Sequence, residues 1–131
     1  MENKNKIVKY WLTVADHDHD TMLALYKLRR YSDCLFFGHL CLEKILKALV
    51  VKQTEKQSPY THDLMVLFKS LKKIELSEEE LDLLDDVNRF NIRARYPDFQ
   101  LQFYKTCDAK YTKKYLEQIK KLYKKLCHAI K

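Results

Sequence analysis

The stretch HLCLEKILKALV, residues 39–50, carries three residues capable of acid–base or ionic chemistry at one spacing. His39, Glu43 and Lys47 fall four apart, so on a helix they stack along a single stripe. At about 100° per residue that stripe covers only roughly 80° of the circumference. Leu35, Cys41, Leu42, Ile45, Leu46, Ala48, Leu49 and Val51 fill most of the remainder, with Lys44 the exception. An ordered His–Glu–Lys seam on so apolar a helix has two readings. It lines a groove or a subunit interface and serves binding, or it is a hydrogen-bonded structural ladder. Glu43 to Lys47 is the favourable i, i+4 order for an ion pair.

Asp18 poses a related question. It shares a helical face with Trp11, Ala15, Met22 and Leu25. A carboxylate among core positions needs a partner, because burying it alone is expensive. Lys47, Lys44 and the arginines of the RAR segment are the candidates. That segment, within NIRARYPDF, is the other concentration of chemistry. Arg93 and Arg95 stand where a helix gives out, and guanidinium forks grip carboxylate or phosphate with two parallel bonds. Two readings stay open here as well. One is an anion-binding segment. The other is local: Asp98 pairs with one of the arginines and Tyr96 is a buried anchor.

Other chemistries find little support. One glycine excludes a glycine-rich phosphate loop, and no H-E-x-x-H zinc helix occurs. Asp16, His17, Asp18, His19 and Asp20 have the composition of a metal site, but adjacent helical residues point about 100° apart and cannot converge. Only Asp16 with Asp20 is an i, i+4 pair, so neither a metal site nor a cofactor is expected. The four cysteines form no C-x-x-C pair and fit no zinc spacing. Cys34 and Cys41, seven apart and on one helical face, read as buried reduced thiols.

The elements that must position these residues are helices. The chain has 131 residues, enough for one core, and 47% of them are hydrophobic. With one glycine and two prolines it lacks the turn residues that an all-β fold needs. The spacing predicts a first helix over 5–30, with Trp11, Val14 or Ala15, Asp18, Met22, Leu25 and Leu28 on its inner face. A second spans 32–53, with Ser32 or Asp33 as N-cap candidates. Pro59 interrupts the pattern. Thr61 is the expected N-cap of a third helix carrying Leu64, Leu67, Phe68 and Leu71. Ser77 and Glu80 make a capping box for a fourth, which ends near Arg95 because Pro97 forces Tyr96 to be extended. Residues 96–109 read as a loop with at most one helical turn. A last helix covers 110–129, with Tyr115, Ile119, Leu122 and Leu126 inward. The expectation is an all-α, antiparallel up-and-down bundle of about five helices forming one domain over residues 1–131.

No apolar run reaches the roughly 18 residues of a membrane span. MENKNKIVKYW has no apolar stretch of signal-peptide type. A cytoplasmic protein is therefore expected. Net charge is +7, much of it from KYTKKYLEQIKKLYKKLCHAIK. That surface suits a polyanion such as RNA or an acidic protein, and it is equally what a solvated lysine-rich helix face looks like.

Four motifs in order resemble those of the HEPN domains (higher eukaryotes and prokaryotes nucleotide-binding). They are Trp11-x-x-x-Ala15-x-x-Asp18, His39-x-x-x-Glu43-Lys44-x-x-Lys47-Ala48, Pro59-x-Thr61-His62-Asp63-Leu64 and Ala94-Arg95-Tyr96-Pro97-Asp98. The likeness runs from about residue 8 to residue 128. It implies a small helical bundle that dimerises. It also implies a genetic neighbour of minimal nucleotidyltransferase type, often as a toxin–antitoxin pair, and for some members metal-independent ribonuclease activity. Those ribonucleases use an Arg-x4–6-His motif. Here no arginine has a histidine at that spacing, and His39 lies nine positions after Arg30. The nuclease function does not transfer by motif, so no catalytic residue is assigned and a binding module is expected rather than an enzyme. An RNase or RNA-binding protein with non-standard residues is the alternative. The resemblance and the residue chemistry together mark one candidate ligand or interface cleft: Asp18, His39, Glu43, Lys47, His62, Arg93, Arg95, Tyr96 and Asp98. A homodimer, a nucleotidyltransferase partner, and a nucleotide or RNA are the expected partners, with no membrane.

Overall fold

A computed structural model describes residues 3–130. Its helices are α1 (Lys4–Lys27), α2 (Tyr31–Thr54), α3 (Leu64–Lys69), α4 (Glu78–Arg95), α5 (Pro97–Thr106) and α6 (Ala109–Ile130), and there is no strand among the described residues. The all-α bundle is as expected, with a sixth helix added. None of these helices is long and apolar enough to cross a membrane.

The bundle is built around α2, which contacts each of the other five helices. Fourteen of its 24 residues are buried, more than the single stripe of about three residues in seven that a surface helix hides. α1 folds back on it as a helical hairpin, burying Val8, Ala15, Asp18 and Met22. On another side α6 packs Leu116, Ile119, Leu122, Leu126 and Ile130 into the core. Gly38 allows this approach: a Cβ there would stand 2.7 Å from Ile119 Cδ1.

Helix ends depart from the sequence pattern where local caps compete. α1 stops at Lys27 because Arg29 turns left-handed (φ 60°), and Leu28, expected inward, is 70% exposed. α2 starts at Tyr31 with no side-chain cap, so neither Ser32 nor Asp33 serves. α3 is capped by Asp63 rather than Thr61. The Asp63 carboxylate accepts from the Met65 and Val66 amides, while the Thr61 hydroxyl accepts from the Asp63 amide. Ser77 and Glu80 form the expected capping box of α4.

The largest correction is α5. Pro97 does hold Tyr96 extended, which ends α4. The same proline then occupies the first position of a new helix, where its fixed φ and missing N–H cost nothing. Of α5's ten residues only Phe103 is buried, with its ring centroid 5.4 Å from that of Phe90. That buried ring anchors α5 against α4, alongside hydrogen bonds from Arg93 to Thr106 and from Gln100 to the Ala94 carbonyl. Replacing Phe103 by Ala is expected to cost about 3–5 kcal/mol, whereas Phe99→Ala, at a position 46% exposed, is expected to cost far less. Urea unfolding of the two variants checks the ranking.

Candidate functional site

The seam of α2 is inside the protein. His39 is 0% exposed, Glu43 1% and Lys47 8%. Three other segments close over it: the connection between α2 and α3, through His62; α4, through Asn91; and α1, through Trp11. The Nε2–H of His39 donates to the carbonyl oxygen of His62 (2.8 Å), and its Nδ1 accepts from the Asn91 side-chain amide (3.1 Å). Both ring nitrogens of a neutral imidazole are thereby used. Burial pushes His39 down to about 4, against the partial restoring effect of Glu43. Glu43 sits between two donors: His62 Nδ1 lies 2.9 Å from Oε1 and Lys47 Nζ lies 2.9 Å from Oε2. Burial alone would raise this carboxyl, but hydrogen bonds from Lys47 and His62 outweigh it and hold the group below its ordinary value. Lys47 Nζ also stands over the Trp11 ring, 5.2 Å from its centroid.

The result is a satisfied ladder. Both nitrogens of His39 and both oxygens of Glu43 are engaged. What the ladder does physically is clamp. His62, whose side chain is 60% exposed, is held to α2 twice, through its ring and through its carbonyl. The segment between α2 and α3 is pinned at that point.

Asp18 takes Lys44 as its charged neighbour, at 3.6 Å, from among the three candidates, with His17 at 3.8 Å on its other oxygen. Its Oδ2 makes no hydrogen bond among the described residues. Asp16 accepts from the Tyr123 hydroxyl at 2.5 Å, and His19 stacks on the Tyr123 ring. Cys34, Cys41 and Cys107 are buried, and burial pushes Cys34 and Cys107 up to about 12, so these two thiols stay protonated.

The remaining candidates lie elsewhere, at the α4–α5 junction. Arg93 places its guanidinium over Phe103, 4.9 Å from the ring centroid, and donates to the Thr106 hydroxyl at 3.3 Å. Arg95 and Asp98 are exposed and form no ion pair among the described residues, so the local Asp98–arginine pairing is absent. Tyr96 is 57% exposed and is therefore no buried anchor: Pro97 ties it to the helix boundary, and Phe103 takes the anchoring role. The nine marked residues thus fall into a buried ladder with the separate Asp18–Lys44 pair, and an exposed corner. Among the described residues, no hydrogen bond or ion pair joins His39 or Lys47 to Arg93 or Arg95. Asn91 was missed from the sequence, although it stands four after Val87 and seven after Leu84 on the buried face of α4, the same signal that singled out Asp18. Beside Arg93, a cavity of about 380 Å³ opens between α4 and α5, lined by Arg89, Ile92, Arg93, Phe99 and Gln102. Phe99 and Gln102 carried no signal while this region read as a loop.

A family model of the HEPN domain matches residues 8–131, and the chain belongs to that family. Among solved structures it is similar to TT1696 from Thermus thermophilus, with a TM-score of 0.78 and 18% identity over 92% of this chain and 96% of that one. At that identity the likeness speaks to the fold. No curated protein matches the chain.

Two outcomes test the ladder. Glu43→Leu leaves Lys47 buried without its carboxylate and is expected to cost about 3–5 kcal/mol in chemical denaturation. The second concerns pH. His39 is lowered from 6.5 to about 4 in the folded protein, so between those values the unfolded chain binds more protons. Its contribution to stability is full above pH 6.5 and is lost as pH falls toward 4. The urea midpoint is expected to drop from pH 7 to pH 5, and His39→Gln to flatten that drop. His19, also lowered by burial, acts with the same sign and leaves a residual slope.

Proposed function

We propose that this HEPN domain is a binding module that takes single-stranded RNA on the α4–α5 corner, with the buried ladder acting as scaffold. The observation that carries the reading is the composition of that corner. Arg89 and Arg93 flank a cavity with Ile92 and Phe99 in its wall and Gln102 among its lining residues. Arg95, Tyr96, Leu101 and Tyr104 are exposed on the same pair of helices. Arginine forks suit phosphate, and exposed aromatic faces suit unpaired bases, each stack contributing about 1–3 kcal/mol. The net charge of +7 favours the encounter with a polyanion. In this reading Arg93, Arg95 and Tyr96 touch the ligand. His39, Glu43, Lys47 and His62 hold the framework, as does Asp18 through Lys44, and Asp98 sits at the rim.

A second reading has one specific support. Ile92, Tyr96, Phe99, Leu101 and Tyr104 are all large side chains left between 46% and 65% exposed on two adjoining helices. Such a surface also suits a protein contact, either a second copy of the chain or the nucleotidyltransferase partner of a toxin–antitoxin pair.

Fluorescence anisotropy with a labelled, unstructured RNA oligonucleotide at two salt concentrations separates the readings. Arg95→Ala and Phe99→Ala are expected to weaken binding roughly fivefold or more, consistent with loss of one phosphate contact or one stack. Lys121→Ala on α6 is expected to change it little, because a solvated lysine adds only screened charge. If Lys121→Ala weakens binding and the corner variants do not, the corner is not the RNA site. If RNA does not bind at all while sedimentation shows two protomers that Phe99→Ala separates, the protein-contact reading replaces it.

A further inference from the structure

A larger cavity, of about 710 Å³, lies where the end of α2, the connection to α3 and the turn after α3 meet. Its size falls within the range of small-ligand sites. Lys56, Lys72 and Lys73 line it together with Gln57, Thr54 and Ser70, and no acidic residue is among its lining residues. The neighbouring acid in the chain, Glu55, is engaged by Lys4 at 3.1 Å. The walls are tied. Gln53 accepts from the Lys72 amide at 2.8 Å, which fastens the turn after α3 to α2. Thr54 accepts from the Lys56 amide at 3.2 Å. At its far end the connecting segment is clamped to the ladder through His62.

An ordinary explanation for lysines here is that they answer the carbonyl ends of α2 and α3, which both terminate at the cavity. The magnitudes do not balance. Each helix end carries at most roughly half a negative charge, and the six-residue α3 less. Together they offset about one of the three lysine charges. An excess of about two positive charges is left around one concavity. Ammonium groups are point charges without a planar fork, so several around one concavity select by charge, and a polyphosphate concentrates more negative charge in a small volume than a carboxylate does.

We infer that this cavity is a binding site for a small, multiply charged phosphate, such as a diphosphate or triphosphate group, separate from the α4–α5 corner. It does not depend on the RNA reading, since the two sites share no residue.

The test uses the full chain and tripolyphosphate as the probe, in calorimetric titration at low salt. Wild type is expected to bind one equivalent, with amide shifts in NMR spectra centred on Gln53, Gln57 and Ser70. Lys72→Gln with Lys73→Gln is expected to reduce affinity at least tenfold. Lys56→Gln alone is expected to reduce it severalfold, and this single exposed change keeps the test open if the double variant fails to fold. Lys110→Gln with Lys113→Gln on α6 removes the same charge elsewhere and is expected to change affinity less than twofold. Citrate, a carboxylate anion of lower negative charge, is expected to bind at least severalfold more weakly. The inference is overturned if wild type shows no saturable heat, if the α6 variant loses as much as the cavity variants, or if citrate binds equally well. It is also overturned if the cavity variants weaken RNA more than Arg95→Ala does, because the lysines would then belong to a nucleic-acid track.

Discussion

Burying the carboxylate of Glu43 is the constraint on which the rest of the arrangement depends. An ion taken from water into a protein interior costs several kcal/mol unless its oxygens are paired. Glu43 lies near the middle of α2, the helix that every other helix touches. One of its oxygens is met by Lys47 from the same helix, and the other is met by His62 from a different segment. His39 then needs its own partners, which come from the His62 carbonyl and from Asn91 on α4. Trp11 on α1 covers the ammonium of Lys47. The partners of a single buried charge thus join α1, α2, α4 and the α2–α3 connection.

The exposed corner follows a different logic. α5 is short, buries one ring, and turns most of its apolar and aromatic side chains outward. Its position comes from Pro97, which ends one helix and starts the next, and from the stack of Phe90, Phe103 and the Arg93 guanidinium. Polar satisfaction is concentrated in the ladder, whereas the corner and the lysine-lined cavity present exposed charged side chains such as Arg95, Lys72 and Lys73. The clamp at His62 links the two regimes, since the segment it pins also forms a wall of that cavity.

The similarity to TT1696, at 18% identity, is a likeness of fold. A bundle tolerates wide exchange among apolar residues of similar volume, provided that the pattern is kept. The charged residues of the seam are constrained by their partners. Surface residues such as Arg95 or Lys72 carry no folding constraint of that kind, so what they do must be argued from their own surroundings.

Much of this was legible in the sequence. Helical periodicity, the shortage of turn residues and the Ser77–Glu80 box are local signals, and local signals identify helices. The four-residue spacing of His39, Glu43 and Lys47 was enough to place them on one stripe, because that depends only on helix geometry. Three things needed the tertiary structure. Whether the stripe faced a groove or the interior depended on His62 and Asn91, which are 23 and 52 residues away from His39. Which cation answered Asp18 depended on how α1 lies along α2, and the answer was Lys44. Residues 97–106 became a helix rather than a loop because Phe103 found Phe90, a packing contact with no local sign beyond Pro97. Covalent neighbours determine which residues share a face. Only the partners brought by folding decide whether a polar face is buried or open.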